Sequence, residues 1–160
     1  MAAVIPDHLN EHHHGPSGLM RWITTTNHKD IGTMYLLFSF VMFLSGGVMA
    51  LTIRAELFQP GLQVVVPELF NQLTTMHGLV MVFGAIMPAF VGFANWMLPL
   101  MVGASDMAFA RMNNWSFWLL PVAAVMLIGS FFVPGGATAA GWTLYPPLSI
   151  QMGMGMDLAI

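Results

Sequence analysis

Three runs without charge dominate the pattern of apolar and polar positions. Ile31–Ile53 contains no Asp, Glu, Lys or Arg, nor does Leu69–Ser105, and a third such run extends from Met112 to Met156. A helix needs about 20 predominantly apolar residues to cross a bilayer, so the first two runs each predict a span. In the third, Pro134-Gly135-Gly136 stops the helix. The predicted spans are therefore 31–53, 70–103 and 113–133. Transmembrane strands would alternate over roughly ten-residue segments, whereas these runs are continuous and rich in Leu, Met, Phe and Ala. The pattern predicts an all-α membrane protein.

Turn chemistry marks the joints. Gln59-Pro60-Gly61 reads as a turn and Tyr145-Pro146-Pro147 as a rigid extended piece. After Gly155, Met156-Asp157-Leu158-Ala159-Ile160 reads as the start of a fourth helix near residue 157, with Asp157 as its N-cap, so the chain is expected to be the first part of a larger protein. Residues 1–18 read as a polar disordered tail with His8 and His12–His14, the latter able to bind metal adventitiously or to belong to an expression tag. Arg21 and Lys29 precede the first span and Arg111 links the second to the third. The loop between spans one and two sets Arg54 against Glu56 and Glu68, and the loop after span three carries no charge. Basic residues favour the inner side, which places the N-terminus inside and residues 57–67 and 135–147 outside.

Composition agrees: 57% of residues are hydrophobic and 7% charged, against about a quarter charged in soluble domains. Without cysteine, disulfides, iron–sulfur clusters and thiolate zinc sites are excluded. A net charge of −3 with four Lys+Arg argues against nucleic acid as a partner. The 16 Met and 12 Phe suit lipid-facing and cofactor-facing packing, though packing alone would explain them.

The candidate chemistry lies in polar groups inside or beside the spans. His77 is the sole histidine of Leu69–Ser105, and an ionisable side chain at membrane depth marks a functional site by default. Three uses compete: a structural hydrogen bond, a proton relay, or a metal held by a ring nitrogen. At 3.6 residues per turn, His77, Gly84, Pro88 and Asn95 share one face of the second span, with Pro88 expected to kink it. A straight helix would separate His77 from Asn95 by about 27 Å, the imidazole near the outer surface and the amide near the inner one. Gly78 and Gly84 are expected to leave room for a large flat ligand such as haem, whose iron commonly takes neutral imidazole.

Arg54 closes the first span beside Glu56. It reads either as a snorkelling interfacial arginine or as a fork of donors for a carbonyl or carboxylate of a buried cofactor. In the second case Glu56 joins a hard-cation site with backbone carbonyls of the following turn. Asp106 is by default a solvated loop acid. Around it, at the inner helix ends, lie Asn95, Asn113, Asn114, Ser116 and Tyr35, amides and hydroxyls that hold water by donating and accepting hydrogen bonds. An acid at the mouth of such a cluster suits a proton-uptake path.

The motifs Asn27-His28-Lys29-Asp30-Ile31-Gly32-Thr33, Arg54-Ala55-Glu56-Leu57, Met76-His77-Gly78, Asn95-Trp96 with Pro99-Leu100-Met101, Asp106-Met107-Ala108-Phe109, Arg111-Met112-Asn113-Asn114 and Gly141-Trp142-Thr143-Leu144-Tyr145-Pro146-Pro147-Leu148 occur in order. Together, from about Leu19 to Ile160, they resemble subunit I of the A-type haem–copper cytochrome c oxidases in a bacterial form. The resemblance implies a twelve-helix bundle, of which this chain supplies three transmembrane helices and the start of a fourth. It implies that His77 is one of two axial ligands of low-spin haem a and that Arg54 contacts the haem formyl group. Glu56, with the Gly61 carbonyl, would belong to a calcium or sodium site. Asp106 corresponds to the acid at the mouth of the D proton pathway, and Asn95, Asn113 and Tyr35 to polar residues along its first stretch. The family usually carries prolines where Ser105 and Ala110 stand, so the loop holding Asp106 is expected to be less rigid.

The implied activity passes electrons from cytochrome c, through a copper centre on subunit II, to haem a and then to a haem–copper site that reduces oxygen to water. Protons taken up through Asp106 would be both consumed and pumped. Subunits II and III and membrane lipid are implied partners, and the bacterial inner membrane, N-terminus cytoplasmic, the implied location. High-spin haem and copper are further implied cofactors. Their ligands would lie beyond Ile160, so this segment alone is not expected to reduce oxygen. The alternatives are a quinol oxidase subunit I of the same superfamily, a cofactor-free transporter or channel segment using His77 and Asp106 as relay groups, and a purely structural membrane subunit.

Overall fold

The computed structural model describes residues 18–151 and 153–159. The tail expected at residues 1–18, with its histidines, lies outside the described residues apart from Gly18. A short helix, α1 (Leu19–Thr24), leads into α2 (His28–Glu56). The second long helix is continuous but mixed: α3 (Pro67–Leu79), a π-helical segment (Val80–Ile86) and α4 (Met87–Val102). The third is α5 (Ala110–Gly129), extended by a 3-10 turn at Ser130–Phe132, and the last helix is α6 (Met154–Ala159). No strand occurs among the described residues. The helices His28–Glu56, Pro67–Val102 and Ala110–Phe132 are each long and apolar enough to cross a membrane. This is a multi-pass α-helical membrane protein.

Local chemistry explains where the helices begin and end. The Asn27 side chain accepts from the Lys29 N–H at 2.9 Å, capping α2, with Asp30 in its first turn and Arg54 in its last, the charge order the helix dipole favours. Pro67 and Glu68 start α3. Gly103, at φ 75°, ends α4 in the left-handed conformation open to glycine. Two expectations fail here. The final helix begins at Met154, three residues ahead of Asp157, so Asp157 is not its N-cap. Tyr145-Pro146-Pro147 is not extended; the chain turns there into a 3-10 turn at Leu148–Gln151.

Burial is inverted relative to a water-soluble bundle. Phe40, Val41, Phe43 and Leu44 on α2, and Phe90, Phe93 and Met97 on α4, are exposed. Asn95, Thr75, Ser130 and Thr138 are fully buried. Apolar surface faces outward and polar groups pair within, as a hydrocarbon solvent demands. The second long helix packs along most of α2, and α5 touches α2 more lightly. Small residues let the first two spans approach: a Cβ on Gly32 would lie 3.0 Å from the Gly92 carbonyl oxygen, and one on Gly92 would lie 3.1 Å from that of Gly32.

Pro88 does perturb the second span, but by way of the helix N-terminal to it. A proline ring has no N–H and crowds the carbonyl four residues back. The structure relieves this with the π-helical turn, in which the Met87 N–H reaches the Val82 carbonyl instead of that of Phe83. Such turns take up one extra residue inside an α-helix.

Candidate functional site

At one end of the spans, the His77 ring sits half-buried against α2 with its Nδ1 2.9 Å from the Gly46 carbonyl oxygen. A carbonyl only accepts, so Nδ1 carries the proton and Nε2 keeps its lone pair. Metal-ligating histidines are held in this way by an acceptor behind the ring, which fixes tautomer and rotation. The donor set therefore fits an iron ligand.

Of the two glycines expected to make space for a ligand, Gly84 lines a cavity, and both also admit a close neighbour. A Cβ on Gly78 would meet the Trp142 Cβ at 3.0 Å, and one on Gly84 would meet the Met42 side chain. They let the outer loop and α2 pack closely. The loop is fastened there by the Gly141 N–H, which donates to the Thr75 hydroxyl at 2.9 Å. An apolar cavity of about 400 Å³ lies nearby, walled by Met42, Leu79, Phe83, Leu127 and Trp142 among others. His77 is not in its wall, so the ring and this cavity are separate features.

Arg54 is exposed at the last turn of α2 and makes no ion pair; the one salt bridge among the described residues joins Arg21 to Asp30. Its donors are free for a group not carried by these residues. Glu56, two residues on, is buried. Its Oε2 accepts from the Val64 and Val65 N–H groups at 2.6 and 3.0 Å, and its Oε1 from the Gln63 N–H at 3.1 Å. Glu56 thus folds the outer loop back onto the end of α2. Together with Gly61 it lines a cavity of about 490 Å³ in which Glu56 is the sole acid.

At the opposite end of the spans the predicted polar residues are joined, and His28 joins them. Asp106 Oδ1 accepts the Met107 N–H at 2.7 Å and the His28 N–H at 3.2 Å. The acid thereby sits on the first residue of α2, where the helix dipole favours a negative charge. The loop carrying Ser105 and Ala110 is thus held by hydrogen bonds in place of proline stiffness. His28, itself buried, places Nδ1 2.8 Å from the Asn95 carbonyl oxygen. The Asn95 side chain accepts from the Asn113 amide and donates to the Val91 carbonyl. Ser116 donates to the Asn113 carbonyl at 2.7 Å. Its single hydrogen being spent there, the Tyr35 hydroxyl donates to Ser116 at 2.8 Å.

Asn114, expected in the same cluster, turns away. Its amide N–H groups reach the Ile23 and Thr25 carbonyls, tying α5 to the turn before α2, and its buried Oδ1 lacks a protein partner. His28 was the residue the sequence hid. A histidine at the first position of a span, between an N-cap asparagine and a lysine, was the available signal.

The fold and these two ends define a class: a polytopic helical membrane protein with an imidazole held by a main-chain carbonyl near one end of its spans and, near the other, a carboxylate held by backbone N–H groups beside a cluster of amides and hydroxyls. Comparison with known families places it further. The family model described as "Cytochrome C and Quinol oxidase polypeptide I" matches residues 30–160, and the chain belongs to that family. A probable cytochrome c oxidase subunit 1-alpha of Streptomyces coelicolor is 50% identical over 145 residues, covering 89% of this chain and 25% of that protein. Cytochrome c oxidase subunit 1 of Corynebacterium efficiens is 49% identical over 152 residues, covering 92% and 26%. The chain thus spans about a quarter of the length of the curated relatives it matches.

Proposed function

We propose that the chain is part of the catalytic subunit of a proton-translocating cytochrome c oxidase in a bacterial inner membrane, with its N-terminus in the cytoplasm. The observation that carries this reading is the Nδ1–Gly46 bond of His77, which leaves Nε2 free to ligate. In the family context that nitrogen would hold the iron of a low-spin haem a, and Arg54 would contact its formyl group. When bound, the haem supplies one-electron transfer, with a potential set by ligation and burial. The names of the relatives favour cytochrome c over quinol as donor.

The residues of this chain have three tasks in that reaction. His77 is held at a fixed rotation by Gly46. Asp106 Oδ2, which has no protein partner among the described residues, faces the inner phase and collects protons there. Asn95, Asn113, Ser116 and Tyr35 hold the water along which protons leave the acid. Oxygen reduction and the copper and high-spin haem sites belong to the remaining length of the protein, with subunits II and III as partners in the complex. At the outer loop, Glu56 and the Gly61 carbonyl contribute to a calcium or sodium site. A cation there would share Oε1, the oxygen with one N–H partner at 3.1 Å.

The test is His77→Ala in the full-length oxidase complex, read by reduced-minus-oxidised spectra and haem content. The expected result is loss of the low-spin haem with the high-spin haem retained. A transporter without cofactor, or a structural subunit, predicts unchanged haem content.

A further inference from the structure

Four hydrogen bonds cross between α2 and the second long helix; one joins the Trp96 indole N–H to the Thr33 hydroxyl at 3.2 Å, and the other three reach a main-chain carbonyl. At the outer end the His77 ring donates to the Gly46 carbonyl, and at the inner end the His28 ring donates to the Asn95 carbonyl. Between them the Ser39 hydroxyl donates to the Ala85 carbonyl at 2.7 Å. Ser39 is buried, and Ala85 lies in the π-helical segment. The two outer rungs are separated by the same number of positions on each helix, from 28 to 46 and from 77 to 95.

The middle rung is out of step. From Ser39 to Gly46 is seven residues on α2, but from His77 to Ala85 is eight on its partner. Below the rung the difference reverses, eleven residues from His28 to Ser39 against ten from Ala85 to Asn95. The two differences cancel over the whole stretch, and most of the π-helical segment, Val80–Ile86, lies between the rung and His77. A helix that widens to i→i+5 bonding loses alignment of its carbonyls with the N–H groups four residues on, and Pro88 withholds another donor. Ser39 supplies a donor to a carbonyl inside this segment. On the same α2 face, a Cβ at Gly46 would lie 2.9 Å from Met81 Cγ and 3.4 Å from Val80 Cγ1, so α2 also presses on the first turn of the segment.

We infer that Ser39 is a positioning residue for His77: by holding the Ala85 carbonyl it fixes where the second span takes up its extra residue, and so the rotation at which the His77 ring leaves the helix. Moving the π turn by one or two residues toward Asn95 would return the His77 side to α-helical phase and swing the ring about the helix axis, away from Gly46. This inference rests on the reading of His77 as an iron ligand.

The experiment uses the full-length oxidase complex with Ser39→Ala, Ser39→Thr and His77→Ala, and with Ser39→Cys, which keeps a weak S–H donor, should Ser39→Ala fail to assemble. Two quantities are read: the optical band and ferric EPR g values of the low-spin haem, and hydrogen–deuterium exchange across residues 80–88. Ser39→Ala is expected to speed exchange in that segment about five-fold, the loss of one buried hydrogen bond, and to shift the low-spin band and g values. Ser39→Thr is expected to restore both. Wild-type band and g values in Ser39→Ala overturn the inference, whether or not exchange rises. If His77→Ala keeps the low-spin signal, the reading beneath it falls instead, so the two failures are distinguishable.

Discussion

Asp106→Asn isolates the carboxylate from the scaffold around it. The Oδ1 atom accepts two backbone N–H groups, from His28 and Met107. An asparagine carbonyl accepts the same two bonds, so the loop stays docked. What is lost is the charge at the start of α2, worth about 0.3–1 kcal/mol at an exposed helix end and up to ~2 when partly buried. A loss of about 1 kcal/mol does not unfold the bundle. Proton delivery is affected differently, because an amide has no proton to release near neutral pH. Positioned acid–base groups contribute roughly 10²–10⁴-fold to rate, and water reaching Asn95 and Asn113 from the inner phase offsets part of that. Oxygen consumption with reduced cytochrome c is expected to fall at least about ten-fold, or about 1.4 kcal/mol of barrier. Proton uptake in vesicles, followed by stopped flow with a pH dye, should fall in parallel while the low-spin haem band is unchanged. Wild-type turnover and uptake would refute the role assigned to this acid.

The contact between the first two spans gives a second expectation. Gly32→Ala puts a Cβ 2.7 Å from Trp96 Cδ1 and 3.0 Å from the Gly92 carbonyl oxygen, an overpacking worth about 1–3 kcal/mol, seen as a lower thermal midpoint of the complex in detergent. Gly47→Ala, whose Cβ meets nothing within 4 Å, should leave the midpoint equal or slightly higher. Glu56→Gln sets an amide N–H against one of the Gln63, Val64 and Val65 N–H donors. It should loosen the outer loop by about 1–3 kcal/mol, measured as faster proteolysis between residues 57 and 66. Calcium should protect that loop in the wild type and not in the variant, and equal protection of both would remove Glu56 from the cation site.

The helical fold was legible because uncharged runs longer than a bilayer is thick admit few alternatives. Periodicity also put Asn95 on the α2-facing side, where Gly32 meets it. The π turn was not legible. Pro88 signalled a disturbance, but where the bonding shifts, and that Ser39 on another helix binds a carbonyl inside the shifted segment, depends on tertiary contact. Gly78 and Gly84 were only half legible for the same reason: a missing side chain shows that something approaches, and here the neighbours include Trp142 and Met42, with Gly84 also lining the apolar cavity. At the inner end the sequence grouped the right amides and hydroxyls but could not order them. His28 remained hidden because its contribution is half backbone, an N–H to Asp106, and half ring, a bond to a main-chain oxygen. Neither bond requires a recognisable partner side chain.

Both ends of the site are anchored on one helix, which bounds how strongly they can influence each other. Gly46, which holds His77, and His28, which holds Asp106, are 18 positions apart on α2, about 27 Å along its axis. Two unit charges at that separation interact by about 0.6 kcal/mol at an effective dielectric of ~20. For a one-electron couple that is about 26 mV, taking 59 mV per ten-fold change in equilibrium constant. The spans between the anchors are α-helix apart from the π-helical segment, and interhelical bonds at both ends and at Ser39 hold them in one register. The effect of Asp106 on the iron is therefore limited to the field of its charge. Redox titration of Asp106→Asn should accordingly move the low-spin haem midpoint by less than about 30 mV, and downward in salt as screening grows. A shift of 100 mV or more would mean that the acid acts on His77 through a change of structure, and the rigid-ladder account of these two helices would be wrong.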